Sequence, residues 1–558
     1  TTTLDVMGQI IAVNSTLAVE YYQIILDRLN DVGVSVRKRA ITIVRDLVKN
    51  SDMYDRINAL KKLAFKILDE DDGVQQLVAK LFLEIWFTPL LQQKYFLNFD
   101  SLETCKLEVV SDCVNLFVTV LWEVYYITNK NGNATLPLTS SFPIILILRK
   151  ILNSSEDELL NSDYSSKDLK NVFRCILYGL VDGMIKTEEI QSMSNRKNVS
   201  DRDGINTSAR YALGIHAISI VDPHLCIPVD DPTHIIMALQ PYLKRNNQIE
   251  DVGKLRCCIC IIDTIITNNK NLGSILSQEL ENDLKILILR SKFQGVLFLA
   301  TKCLCTIARK RDNNQNGISL IVRKLWCLLD TNKDKIILDR EETAYSSRAL
   351  FVLGSILKHG ADIIEQAKIN ASNNTCEILS IERIFEIFLS YLHRDSLEIE
   401  VRKASLKACG HLFSSRADYM CNTSAANDWP LDLILHETLH EASDSQLKLQ
   451  SLQNLNDFFR KDENFGGGDG KKINISVQEV NGQADTSNIS SAIAQRCWSQ
   501  VLGLCMNCDA QVRFKSLQLC EVILRQGLVH PMSAFPILIM LQIEVEPAIK
   551  KLAFQVLK

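Results

Sequence analysis

The residues best suited to chemistry are His436-Glu437-Thr438-Leu439-His440. Two histidines one helical turn apart can hold zinc from the same face, and the glutamate between them can activate a bound water. A peptidase of that kind also needs a third ligand and a strand to position its substrate. The downstream acids Glu441, Asp444 and Glu463 stand in no zincin pattern, and EASDSQ follows where the metzincin form would continue. Histidines on the outer face of a helix are the simpler account. Cys505-Met506-Asn507-Cys508 is a single CxxC, whereas a structural zinc needs four ligands. Cys257, Cys258 and Cys260 lie in the apolar run LRCCICIIDTII and read as core thiols. The run from Gly466 to Lys472 mimics a phosphate loop, but that spacing puts Phe465 at the first glycine and Lys472 at the Ser/Thr. No GxSxG, kinase set or dinucleotide fingerprint is found. The expectation is a chain with no catalytic residue, no metal and no cofactor.

The basic clusters remain: Arg37-Lys38-Arg39, Arg402-Lys403, Arg513 and Lys550-Lys551. Two readings stay open. The bases can bridge to acids of neighbouring repeats, as a ladder. Alternatively they line a concave path and meet phosphates or an acidic partner.

These bases sit on a repeated element. An apolar residue is followed by others 4, 7, 8 and 11 positions on: Val36, Ala40, Ile43, Val44, Leu47, and again from Val74, Val296, Val401, Val512 and Ile549. Such offsets draw one stripe down a helix. The second position is Ala or Ser in every copy but Val78, which lets another helix approach closely. Starts recur after 38 residues (Val36 to Val74) and 37 (Val512 to Ile549), with a weaker copy at Leu447. Periods near 40 with two helices per unit mark HEAT or armadillo arrays. The stripes are second helices; first helices are expected at 17–29, 53–68, 381–392 and 492–506. Acids ahead of the stripes, Asp31, Asp72, Asp395, Asp509 and Glu546, can cap the helix starts.

The 558 residues are 47% hydrophobic, with only 22 Gly and 11 Pro, which argues against an all-β chain. A net charge of −4 excludes a dedicated basic nucleic-acid domain, so any DNA contact uses local patches. The 17 cysteines are scattered through apolar stripes, as free thiols in a reducing compartment are. No secretory signal is seen, and no uninterrupted apolar stretch approaches the ~18 residues of a membrane helix.

The expected class is all-α: a HEAT-repeat α-solenoid, a hook-shaped superhelix with irregular loop inserts. HEAT repeats are expected over 1–89, a helical region with polar inserts over 90–210, repeats over 211–464, a flexible loop over 465–489 and C-terminal repeats over 490–558. Polar inserts are expected at 129–140, 153–167 and 187–207.

Certain strings go beyond the generic repeat. LDRLNDVGVSVRKRAITIVRDL (Leu26–Leu47), EIWFTP (Glu84–Pro89), MALQPYLK (Met237–Lys244), ALFVLGSILKH (Ala349–His359) and SLEIEVRKASLKACGHLF (Ser396–Phe413) resemble the Nipped-B/adherin family of cohesin loaders. The resemblance is strongest in SSAIAQRCWSQVL (Ser490–Leu502) and from Val512 to Ala553, where QGLVHP precedes a short helix and a repeat opened by EP. It implies a scaffold that binds the cohesin ring of SMC pair and kleisin, clamps double-stranded DNA against the SMC heads and stimulates cohesin's ATPase. Catalysis would belong to cohesin, and the place of work would be chromatin in the nucleus. A smaller TPR-type loader subunit would bind an N-terminal region that this chain is expected to lack; no membrane is implied. Arg37, Lys38 and Arg39 match the family string, as do Arg402 with Lys403 and, in part, Lys550. The alternative is another HEAT adaptor, a nuclear transport receptor or an adaptin, in which the VSVRKR, WFTP and QGLVHP strings are not expected.

Overall fold

Helices pair along the chain because no single amphipathic helix can bury its stripe alone. The computed structural model describes the chain except residues 1, 14, 51–52, 93–107, 131–137, 154–164, 194–201, 229–230, 245–251, 270–272, 312–315, 336–337, 371–379, 422–429, 441–442 and 467–476. Among the described residues there is no strand, and the architecture is an all-α, HEAT-repeat solenoid. The chain divides into two compact units, Thr1–Cys303 and Leu304–Lys558.

Unit 1 opens with Thr2–Val13 and then the pair Ser15–Arg28 and Val34–Asn50. The next pair is Met53–Ala64, prolonged by a 3-10 turn Phe65–Leu68, and Asp72–Phe82. Longer helices follow at Glu108–Lys130, Pro143–Asn153, Ser166–Met193 and Arg202–Val221, then His234–Lys244, Val252–Asn268 and Ser274–Arg290. In unit 2 the pairs are Asn316–Asn332 with Arg340–Asn370, Ile381–Leu392 with Ile399–Ser415, and Pro430–Leu439 with Ser445–Gly466. Val477–Leu504 pairs with Ala510–Arg525, and Phe535–Leu541 with Pro547–Leu557.

The stripes are core. The members starting at Val74, Val296, Val401 and Val512 are all buried, while Val36, Val556 and Leu557 are half-buried. Burying each such aliphatic side chain contributes about 1.5–3 kcal/mol before chain entropy is set against it. The small second position works as a point of close approach. Ser405 donates its hydroxyl to the carbonyl of Phe388, and Ser516 donates to that of Val501, each on the first helix of its own pair. A hydroxyl is thus buried without a lost hydrogen bond. Between the Arg340–Asn370 and Ile399–Ser415 helices the approach is closer still. A Cβ on Gly354 would lie 2.6 Å from the Cα of Ala408.

Helix ends follow local chemistry. Asp71, not Asp72, caps Asp72–Phe82: its backbone is extended, and its carboxylate accepts from Val74 N–H at 2.9 Å. Asp72 lies one step too late and pairs with Lys150 at 2.5 Å. Asp509 caps Ala510–Arg525 through Gln511 N–H. Glu546 holds the cap position of Pro547–Leu557 without a side-chain cap bond. Gly527, with φ +67°, ends the Ala510 helix, and Leu528 N–H reaches back to Ile523 C=O.

Three expectations change. Residues 477–489 open the helix Val477–Leu504, where a loop over 465–489 was expected; 467–476 lie outside the described residues. Likewise 187–193 and 202–207 are helical, and only 194–201 of that insert lie outside. Polarity signalled loop at these places, but a solvated helix is equally polar. Of the other inserts, 138–140 and 165 are non-helical, while 129–130, 153 and 166–167 belong to the flanking helices. Averaged hydropathy also picks out two segments of membrane-spanning length, Asp72–Leu91 and Glu108–Asn129. Gln75, Gln76, Lys80 and Glu84 interrupt the first, so no apolar run announced it. More than half of each is buried against other helices (61% and 56%), which is how core helices pass this test.

The close approach at Gly354 gives a paired test. Gly354→Ala should cost about 1–3 kcal/mol in urea or thermal unfolding, because backbone must move to admit the methyl. Gly503→Ala, in an exposed helical turn with nothing within 4 Å of the new Cβ, should be neutral or stabilise by up to about 1 kcal/mol.

Candidate binding surface

Where the base directly after a stripe's first residue is an arginine, it turns inward. Arg37 donates through Nη1 to the carbonyls of Asp31 and Val32, each at 2.9 Å, and through Nη2 to Asp69 Oδ1 at 2.8 Å. Arg513 repeats the arrangement, from Nη1 to the carbonyls of Asn507 and Cys508 and from Nη2 to Glu544 Oε1 at 3.0 Å. Arg402 donates from Nε to Leu392 C=O and pairs with Asp395 at 2.9 Å and Glu437 Oε1 at 2.7 Å. In each case one guanidinium satisfies backbone carbonyls at the end of the first helix or in the turn after it, two for Arg37 and Arg513 and one for Arg402. It also binds an acid of the following helix pair or of the turn within it. The arginine side chains are only 12–15% exposed. This is the ladder geometry, and it leaves these three guanidiniums little surface for a partner.

The neighbouring bases differ. Lys38 is over a third exposed and pairs with Asp71 at 2.8 Å; that bond, with Val74 N–H, holds the Asp71 carboxyl below its usual pKa. Arg39 is half-buried. Lys403 donates to Gln446 Oε1 at 3.1 Å. Lys550 and Lys551 stand exposed on the first turns of Pro547–Leu557. The expected contact residues thus separate into buried forks and outward lysines.

In unit 2, four second helices line a groove of about 650 Å³. The Ile399 helix supplies Lys403, and the Ser445 helix supplies Gln446, Leu449, Gln450 and Gln453. The Ala510 helix supplies Gln511, Phe514 and Lys515, and the last helix adds Ile549 beside Glu546. A second hollow of about 200 Å³ shares Gln450 and Gln453 and adds Lys407, His411 and Asp457. Cations crowd there. Burial lowers the pKa of Lys407, and Lys403 and Lys358 lower it further. Burial also lowers that of Lys358, with Asp457 opposing and Lys461 adding to it. His411 is held neutral by burial and by Lys358 and Lys407. The sequence reading missed Gln446, Gln450, Gln453, Gln511, Phe514, Lys515 and Lys407. A signal existed: Gln446, Gln450 and Gln453 keep helical spacing, one place ahead of the weak stripe at Leu447.

The HETLH string sits on Pro430–Leu439 with its middle turned inward. Thr438 is fully buried and accepts from Ser451 at 2.6 Å, which pins the helix to its partner. His436 and His440 are exposed, with ring centroids 6.0 Å apart. Glu437, the would-be base, instead accepts from Arg402 and contacts His393 Nδ1. No group of three His, Cys, Asp or Glu suited to a metal occurs among the described residues. Cys505 lies 3.7 Å from Cys520, on the paired helix, while its CxxC mate Cys508 is exposed. Burial pushes the thiols of Cys257 and Cys260 up, the latter to about 12.

Arg402→Ala should destabilise the chain by about 2–4 kcal/mol in denaturant unfolding, since it strands Glu437 and the Leu392 carbonyl. Arg402→Lys should recover little, because an ammonium cannot fork to three acceptors in the same plane. His436→Ala should leave the unfolding free energy within about 0.5 kcal/mol of the parent in denaturant unfolding.

Residues 490–558 match the family model described as the sister chromatid cohesion C-terminus. The mouse Nipped-B-like protein is 24% identical over 99% of this chain, and Drosophila Nipped-B 23% identical over 96%. The chain spans 18% and 24% of the lengths of those two relatives. Its fold is similar to the C-terminal fragment of the Chaetomium thermophilum cohesin loader SCC2, with TM-score 0.72 and 18% identity, covering 100% of this chain and 36% of that one. With the C-terminal family model matching residues 490–558 and Nipped-B proteins aligned from end to end, the chain is similar to Nipped-B proteins over nearly its whole length.

Proposed function

We propose that this chain is the helical scaffold of a cohesin loader. In this reading it contacts the SMC–kleisin ring, holds duplex DNA against the SMC heads and raises cohesin's ATP hydrolysis, on chromatin in the nucleus. It contributes no catalytic group; the nucleotide chemistry belongs to cohesin. A smaller TPR-type subunit would engage the protein N-terminal to these repeats. The observation that carries the reading is similarity to Nipped-B proteins over nearly the whole chain, and the strings around Val34, Trp86 and Gln526 resemble that family. Trp86 and Phe87 serve the core in it: both are buried, and Trp86 packs on Phe82 and Phe117.

The contacts divide by geometry. Arg37, Arg402 and Arg513 hold the repeats in register. Lys38, Arg39, Lys403, Lys550 and Lys551 are the proposed contacts with phosphate or with acidic surface of cohesin. A net charge of −4 favours such local patches over a broad basic face.

Purified cohesin with DNA should hydrolyse ATP faster when the protein is added. Lys550→Glu with Lys551→Glu should lower the DNA-dependent part of that stimulation by about threefold to tenfold while the helical signal is kept. Lys38→Glu with Arg39→Glu should act in the same direction. Unstimulated hydrolysis with this chain and with a longer form of the protein would remove the loader reading. Stimulation unchanged in both variants would confine all the basic clusters to holding the repeats together.

A further inference from the structure

We infer that the groove across the Ile399–Ser415, Ser445–Gly466, Ala510–Arg525 and Pro547–Leu557 helices docks an extended, acidic peptide segment of a partner protein, anchored by one large apolar side chain. The inference names a partner chemistry within the loader reading, but its test is independent of cohesin.

The glutamines argue for a main chain as occupant. Each carboxamide offers a carbonyl acceptor and two N–H donors, which matches the alternating groups of a peptide backbone. Gln450 spends one N–H on Asn454 and Gln453 one on Asp457, so each keeps an acceptor and a second donor at the groove. From Gln446 to Gln450 the rise is about 6 Å, close to the ~6.7 Å after which an extended chain presents the same side again. An α-helical ligand, with its backbone bonds satisfied internally, would leave these amides unused.

The floor argues for the anchor. Leu449 and Phe514 are half-buried, and Ile549 is buried at the groove's end. A half-buried aromatic lining a groove is the kind of contact that dominates peptide affinity.

Charge argues for acidity. Lys403 and Lys515 line the groove against Glu546, and Lys407 lines the adjoining hollow. Lys358 and Lys461 close in behind Lys407, with Asp457 the carboxylate among them. Burial and mutual repulsion depress Lys358 and Lys407, so an incoming carboxylate relieves the crowding. A DNA backbone fits less well. It offers phosphate acceptors but no apolar side chain for Phe514, and Glu546 repels it.

The test is selection of random peptides of about ten residues, roughly 33 Å when extended, displayed on phage against the purified protein, followed by anisotropy with labelled winners. Winners should be rich in Asp and Glu and carry a large apolar residue. Lys515→Glu should weaken them at least about tenfold, as should Phe514→Ala, with circular dichroism and thermal unfolding unchanged for Lys515→Glu. Lys550→Glu should leave them bound. The inference falls if no peptide is enriched, if winners lack acidic residues or the apolar residue, or if Lys515→Glu keeps full affinity. It falls equally if a short DNA duplex displaces the winners and its own binding is lost with Lys515→Glu, since nucleic acid would then be the occupant. Failure of cohesin stimulation with peptide binding intact would count against the loader reading alone.

Discussion

The register of this solenoid rests on one recurrent interaction, the fork made by a single arginine behind each of three stripes. Hydrophobic burial is strong but undirected: a helix pair could slide by a turn and bury nearly the same area. The guanidiniums of Arg37, Arg402 and Arg513 remove that freedom. Each binds one or two carbonyls left over at the end of the preceding helix or in its turn, and an acid that belongs to the next step of the array. Geometry comes from planar, charge-assisted hydrogen bonds, and adhesion from the stripes.

Adjacency in sequence therefore hides a division of labour. Arg402 and Lys403 are neighbours, yet one is locked between helices and the other opens onto a groove. The same holds for Arg513, against Phe514 and Lys515. A helix turns about 100° per residue, so consecutive positions cannot share a role. The groove inherits its rigidity from this arrangement: the residues that line it stand one or two positions from residues fixed in the core.

Much of the fold was legible in the sequence. Stripe offsets placed the second helices, and 381–392 coincides with an observed first helix. Both readings of the basic clusters were visible, but not the choice between them. The fate of Arg402 depends on where the preceding helix ends and how near Glu437 comes, which are facts of three dimensions. The HETLH string misled because its motif ignores neighbours: Thr438 faces the core, and Glu437 is already committed to Arg402. The groove was harder. Glutamines at helical spacing look like any solvated face, and only the convergence of four helices makes them line a groove. The polar strings at 187–193 and 477–489 were misjudged for a related reason, since polarity alone does not separate loop from helix.

The buried forks carry one further consequence, for behaviour across ionic strength. Exposed charges separated by more than about 8 Å are largely screened at physiological salt, whereas pairs in contact and shielded by protein are screened far less. Arg37, Arg402 and Arg513 belong to the second kind, whereas Lys550 and Lys551 are exposed to solvent and its ions. Salt therefore weakens the field of the exposed lysines well before it loosens the repeats from one another. The molecule separates, in space and in ionic response, the charges that build it from the charges with which it can hold something else.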